Sequence, residues 1–291
     1  MNAMKVLVFG RDGQVARELA RRKPDGIELV CLSRAEGDLA DPESCARRVS
    51  EYGSDTVIVA AAFTGVDAAE EHAAEAEVVN AHAPAAIAEA CRLEGRLLLH
   101  LSTDYVFDGR GQQPWRPEDA PAPLGVYGRT KLAGEEGVLH ALPDATILRT
   151  SWVFSAHGRN FVKTMLGLGR ERSQLRVVDD QVGGPTAAAD IADALYEMAR
   201  IRAQGRGAPG VFHFAGLPAV SWADFARTIF TSAQQDVVVE SIPTSAYPAP
   251  AARPLNSRLD GTSTTETFGI LMPDWRLALQ QVIAELEPVH D

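Results

Sequence analysis

An α/β fold, a doubly wound parallel sheet with a smaller C-terminal lobe, is predicted by three observations. Short apolar, β-branched runs alternate with helical patterns through the first half of the chain, the rhythm of parallel strands buried between helices. The first run, Lys5 to Phe9, passes directly into the glycine turn Gly10-Arg11-Asp12-Gly13-Gln14-Val15-Ala16. After about Thr150 the rhythm loosens, and Gly184-Pro185 and the proline-rich stretch Pro243 to Pro254 mark loops of a second lobe.

The elements follow in order. Val15 and Leu19 with charges between them predict a helix over 14–22, because residues four apart share a helix face. A strand over Ile27–Leu32, a helix over about 42–52 and a strand over Thr56–Ala61 come next. One helix is expected over about 68–93, then a strand over Arg96–Ser102, the helix carrying Tyr127 and Lys131, and a strand over Ala145–Arg149. A helix near 187–202, rich in alanine and holding Leu195, returns to the sheet. This order is Rossmann-like. It assigns residues 1–150 plus about 175–203 to a nucleotide-binding domain, and about 151–174 plus 204–291 to the smaller lobe. The sequence shows no internal repeat, low-complexity tail or heptad pattern.

Composition narrows the function classes. The 291 residues suffice for a nucleotide-binding core and a second lobe. No apolar run approaches the roughly 18 residues of a membrane span, and no basic-then-apolar leader is visible. A cytoplasmic protein without a membrane partner is expected. Cys31, Cys45 and Cys91 are widely spaced among apolar or helical neighbours, and so read as buried thiols. A net charge of −11 argues against nucleic acid, whose binding depends on Lys and Arg neutralising phosphates. A nucleotide ligand must then be held by local positive charge and backbone donors.

Tyr127 and Lys131 place a phenol and an ammonium one helical turn apart, downstream of Thr103 at the end of an apolar strand. A neighbouring cation stabilises a phenolate, whose parent phenol ordinarily titrates at about 10. That is equipment for reducing a ketone, given a hydride source. Strand, glycine turn and helix together supply a site for a dinucleotide, because backbone N–H groups and a helix N-terminus can approach its pyrophosphate. Ala16 stands where many such sites have a third glycine.

Gly10-x-x-Gly13-Gln14-Val15, Ser102-Thr103-Asp104-Tyr105-Val106-Phe107, Pro123-Leu124-x-x-Tyr127-Gly128-x-Thr130-Lys131, Arg149-Thr150-Ser151-Trp152-Val153-Phe154, Asp180-Gln181-x-Gly183-x-Pro185-Thr186 and Arg253-Pro254-x-Asn256-Ser257-x-Leu259 occur in that order. Together they resemble the dTDP-4-dehydrorhamnose reductase family, a branch of the extended short-chain dehydrogenases/reductases. The resemblance implies that NADPH or NADH reduces the 4-keto group of dTDP-4-dehydro-L-rhamnose.

It also implies roles for residues. Tyr127 is the expected acid, Lys131 lowers its pKa and holds the nicotinamide ribose, and Thr103 donates a hydrogen bond to the ketone oxygen. Gly10, Gly13, Gln14 and Val15 meet the pyrophosphate, and Asp38 and Leu39 approach the adenine. Ala62, Phe63, Thr64 and Leu101 complete the cofactor set, with Phe63 in place of a commoner histidine. Ser33 and Arg34 suit a 2′-phosphate, although a surface arginine reads equally well. Asp104, Trp152, Arg253 and Asn256, with Ser257, are the expected contacts to the dTDP-sugar, beside Thr103. In some members a divalent cation, Mg2+ here, bridges two subunits of a homodimer. Glu18 fits one such position and Asp190 replaces a glutamate at another. His100, His213 and the methionines read as core, and Glu70 and Glu71 as a solvated helix face. Two alternatives stay open: reduction of another dTDP-4-keto-6-deoxy sugar, and a non-catalytic subunit resembling the regulatory subunit of methionine adenosyltransferase.

Overall fold

The computed structural model describes residues 3–286. The outer limits of the two expected domains, residues 1–2 and 287–291, lie outside the described residues. The chain begins with β1 (Met4–Phe9), α1 (Gln14–Arg21), β2 (Ile27–Leu32), α2 (Pro42–Tyr52) and β3 (Thr56–Val59). Then come α3 (Val66–Glu71), α4 (Ala73–Glu77), α5 (Ala83–Glu94), β4 (Leu97–Thr103), α6 (Val126–Ala141) and β5 (Thr146–Thr150). The remainder comprises β6 (Val153–Phe154), α7 (Phe161–Glu171), β7 (Gln174–Val178), β8 (Val182–Gly183), β9 (Thr186–Ala187), α8 (Ala188–Ala203) and β10 (Gly210–His213). It closes with β11 (Val220–Ser221), α9 (Trp222–Ser232), β12 (Val238–Ile242), β13 (Asn256–Ser257), α10 (Thr262–Phe268) and α11 (Trp275–Leu286).

The central sheet has the order β10-β5-β4-β3-β1-β2, and every pairing in it is parallel. Strand residues are buried on both faces. Val6, Val8, Ile58 and Leu99 pack against α1 and α8, while Leu7, Phe9, Val57 and Leu98 pack against α2 and α5. The strand order reverses between β1 and β3, so their C-terminal ends diverge into a crevice of the kind that receives ligands in open α/β sheets. The second lobe has its own core, with Phe154, Phe225, Phe230 and Trp275 among α7, α9 and α11.

Two differences from expectation bear on the site. The helix expected over 68–93 is broken into α3, α4, a π-helical turn over Val78–His82, and α5. Asn80 accounts for the irregular turn. Its side chain, fully buried, accepts from Phe63 N at 2.8 Å and donates to Thr130 Oγ1 at 3.0 Å. Its carbonyl lies where a Cβ on Gly134 would come within 2.0 Å, so only glycine in α6 lets the two segments approach this closely. The lobes also interleave differently along the chain. Strand β7, grouped by sequence with the nucleotide domain, pairs with β12 in the second lobe, and β10, grouped with that lobe, forms the edge of the central sheet beside β5. Each follows a helix as the other strands do, α7 before β7 and α8 before β10, so the local pattern does not show which lobe it joins.

Candidate active site

One cavity of about 1240 Å³ runs from the glycine turn along the C-terminal ends of β1, β3 and β4 to the start of α6. Its wall includes Gly10, Gly13, Gln14, Val15, Asp38, Leu39, Ala62, Phe63, Thr64 and Leu101, the whole expected cofactor set with Tyr127 and Lys131. Gly10 has φ of +110°, and a Cβ there would meet Ala61 Cβ at 3.1 Å. Space beyond Gly13 is clear, since a Cβ on it would touch nothing within 4 Å. The turn therefore exposes backbone at the N-terminus of α1, a surface suited to a pyrophosphate. At the adenine end, Ser33 is turned inward, donating to Glu36 Oε2 at 2.5 Å, whereas Arg34 lines the cavity beside Asp38 and Glu75.

The inner end gathers Thr103, Asp104, Tyr127, Lys131, Thr150, Trp152 and Trp222. Thr103 and Thr150 are register partners across β4 and β5. Tyr127 and Lys131 stand one turn apart near the start of α6, whose first free N–H, on Val126, donates to Glu70 Oε1 at 2.8 Å. Glu70 thus caps α6 instead of merely facing solvent. Thr103 Oγ1 donates to Asp104 Oδ1 at 3.1 Å and accepts from Tyr105 N at 3.2 Å. Tyr105 packs edge-on against Tyr127 with ring centroids 5.4 Å apart.

Electrostatics depart from the sequence expectation. Burial pushes the Tyr127 phenol up to about 12, with the Thr103 hydroxyl opposing the shift and the Asp104 charge adding to it. The lysine does not lower it. Lys131 is 2% exposed and directs its ammonium to Leu101 O at 2.7 Å and His100 Nε2 at 3.3 Å, and burial lowers it to about 8 against the opposing charge of Glu135. Burial likewise lifts Asp104 to about 6. His100 is core as expected, and the same burial drives it well below its ordinary range. All three thiols are shifted upward by burial, Cys31 to about 11 and Cys45 and Cys91 to about 12, leaving them protonated.

The expected sugar contacts divide. Asp104 and Trp152 line the cavity, and Trp152, held at φ +50°, stacks on Trp222 at a centroid distance of 3.5 Å. A left-handed tryptophan is costly. Gly183 accommodates it, since a Cβ there would lie 2.8 Å from the indole. Arg253 is outside the cavity wall and pairs with Asp67 at 2.7 Å. Asn256 is also outside it. It is 1% exposed, donates to Gln113 O at 2.8 Å and accepts from Arg258 Nη1 at 2.9 Å, so its amide braces a loop and has no free face for substrate. Trp222, Thr150 and Asn80 were not singled out by sequence, because their roles depend on partners far away in the chain. For Mg2+ the fit is poor within one chain. Glu18 is buried and engaged by Arg21 at 2.9 Å and His157 at 3.3 Å, and no group of three acidic, His or Cys side chains is placed for a metal among the described residues.

A family model described as the RmlD substrate binding domain matches residues 4–287. The dTDP-4-dehydrorhamnose reductase of Burkholderia thailandensis is 44% identical, covering 97% of this chain and 99% of the relative. This chain belongs to the dTDP-4-dehydrorhamnose reductase family. Its Escherichia coli K12 relative of the same description is 38% identical over 97% of this chain and 98% of its own. Two solved reductases of the family superpose with a TM-score of 0.91, those of Clostridium acetobutylicum at 35% identity and Bacillus anthracis at 33%. Each comparison covers 97% of this chain and 99% of the other, and the B. anthracis structure is a complex with NADP. Among the described residues no helix is long and apolar enough to cross a membrane.

Proposed function

We propose that the protein reduces the 4-keto group of dTDP-4-dehydro-L-rhamnose, with NADPH or NADH as hydride donor, and releases dTDP-L-rhamnose. The observation that carries this reading is a protonated phenol, Tyr127, beside Thr103 at the inner end of a cavity that starts at a dinucleotide-type glycine turn. Family membership gives the substrate class, since the relatives described above are named as reductases of that sugar nucleotide.

When bound, NADPH supplies the hydride to the carbonyl carbon. Tyr127 gives its proton to the carbonyl oxygen as negative charge develops there. A phenol lifted to about 12 is fully protonated at neutral pH and ready to donate. Lys131, still mostly charged at neutral pH and donating to Leu101 O in the cavity wall, is placed to hold the nicotinamide ribose. Thr103 turns its hydroxyl from Asp104 to the oxygen, and Asp104, with Oδ2 buried and unpartnered, accepts from a sugar hydroxyl in exchange. The stacked indoles of Trp152 and Trp222 wall the sugar and exclude water.

The test is incubation of purified protein with each reduced coenzyme and dTDP-4-dehydrorhamnose, followed by NMR of the product. Coenzyme oxidation yielding dTDP-L-rhamnose is expected. Turnover only with another 4-keto-6-deoxy sugar would reassign the substrate, and no turnover with any would remove the enzyme reading.

A further inference from the structure

The chain carries 28 Lys and Arg against 39 Asp and Glu, so an anionic dinucleotide needs cations placed locally. Four basic side chains line the cavity: Arg11, Arg34, Lys131 and Arg159. Arg11 is paired with Glu36 at 3.2 Å, and Arg34 lies between Asp38 at 3.4 Å and Glu75 at 3.8 Å. Lys131 is deep in the wall, donating to Leu101 O at 2.7 Å. Arg159 alone among these four makes no ion pair or side-chain hydrogen bond among the described residues, and it is exposed.

Arg159 belongs to the second lobe, yet the segment that carries it is fixed to the glycine turn. Gln14, the first residue of α1, accepts through Oε1 from Ser155 Oγ at 2.9 Å and from Asn160 Nδ2 at 2.8 Å. Asn160 in turn caps α7, accepting from Lys163 N at 3.1 Å. Gly158 has φ of +61°, and its face lies 3.4 Å from Gln14 Cγ, measured from an ideal Cβ. His157 Nε2 meets Glu18 Oε1 on α1 at 3.3 Å. The loop is thereby held at both ends of Arg159, a residue that lines the same cavity as Gly13.

We propose that Arg159 binds the pyrophosphate of the nicotinamide coenzyme, and that the Gln14 side chain is a positioning residue that clasps Arg159's loop across the glycine turn. The proposal rests on the coenzyme part of the reading above, not on the identity of the sugar. Backbone donors at Gly13 and the N-terminus of α1 take one side of the anion, and the guanidinium takes the other with the paired donors suited to phosphate. The cofactor site then closes only when both lobes are present in their docked arrangement.

Coenzyme binding to the full chain without any sugar, read by the fluorescence of reduced nicotinamide, tests this directly. Arg159→Gln is expected to raise Kd about tenfold or more for NADPH and NADH alike, and for competing ADP-ribose, because all three share the pyrophosphate. The dependence of Kd on salt should become shallower, and Arg159→Lys should recover part of the loss. Gln14→Ala should weaken binding, and Gln14→Ala in the Arg159→Gln background should add little, since the two act as one unit. Kd values within twofold of the parent in Arg159→Gln, weakening for NADPH only, or fully additive effects of the two changes would each overturn the proposal. A parent protein that binds neither coenzyme would instead overturn the oxidoreductase reading, and failure of the sugar alone would touch neither residue.

Discussion

A phenol and an ammonium on one helix face need not neutralise each other's cost of burial. Tyr127 rises to about 12 and Lys131 falls to about 8, each displaced mainly by loss of water. The pair is therefore arranged for proton donation in the direction of reduction, and the lysine, not the tyrosine, has the titration nearest neutrality. Tyr127→Phe is expected to lower kcat by at least about 100-fold while coenzyme Kd changes little, the signature of a lost general acid. Unchanged turnover in that variant would remove Tyr127 from the chemistry. The sign for Lys131 is also fixed: its folded pKa is below the ordinary lysine value, so the charge is present below about pH 8 and lost as pH rises through it. kcat/KM should fall on the alkaline side with an apparent pKa near 8. Lys131→Arg, whose guanidinium does not titrate there, should move that limb upward in whatever activity remains. A limb that stays in place would assign it to another group.

At the scale of elements, the helix bearing Tyr127 and Lys131 is locked to the sheet by ions that the sequence did not reveal. Glu135, one turn beyond Lys131 on α6, receives Arg149 Nε at 2.9 Å and Nη2 at 2.6 Å from β5, and also the Ser102 hydroxyl from β4. Both partners of the ion pair are 3% exposed, and Arg149 lies 5.1 Å above the Phe107 ring. Ser102 and Arg149 immediately precede Thr103 and Thr150, so the network sets the ends of both strands that wall the site. Glu135→Gln leaves a buried guanidinium without its counter-charge, and a loss of about 3–5 kcal/mol of unfolding free energy is expected in denaturant titration. It also removes the charge that holds Lys131 up, so the alkaline limb should shift to lower pH. A loss under about 1 kcal/mol would show the pair to be an incidental contact. The meeting of Thr103, Tyr127 and Lys131 on one cavity wall was legible because a strand end and an i, i+4 spacing are local signals. Asn80, Trp222 and the Glu135–Arg149 pair were not, because their meaning comes from partners brought together by the parallel crossovers. The bracing of Asn256 was illegible for the same reason, as nothing local shows that its amide is taken up by Gln113 and Arg258.

For the whole molecule, the first five sheet strands and the helices between them, apart from the break within 68–93, were readable from period and order, while the lobe boundary was not, since β7 and β10 exchange sides across it. That exchange gives the two lobes a common cavity wall: the glycine turn and Tyr127 come from one, and Arg159 and Trp222 from the other. A ligand spanning that cavity binds only the docked arrangement. Linkage then requires stabilisation by RT ln(1 + [L]/Kd), about 2.7 kcal/mol at a hundredfold excess of free coenzyme over Kd. NADPH at that level should raise Tm by several degrees in a calorimetric scan, and it should move the unfolding of both lobes together. In Arg159→Gln at the same coenzyme concentration the increase should shrink by the amount its weaker Kd dictates, with the coenzyme-free Tm unchanged. If NADPH shifted one of two separate transitions and left the other in place, the coenzyme would be held by one lobe alone, and the glycine turn would have to act without the second.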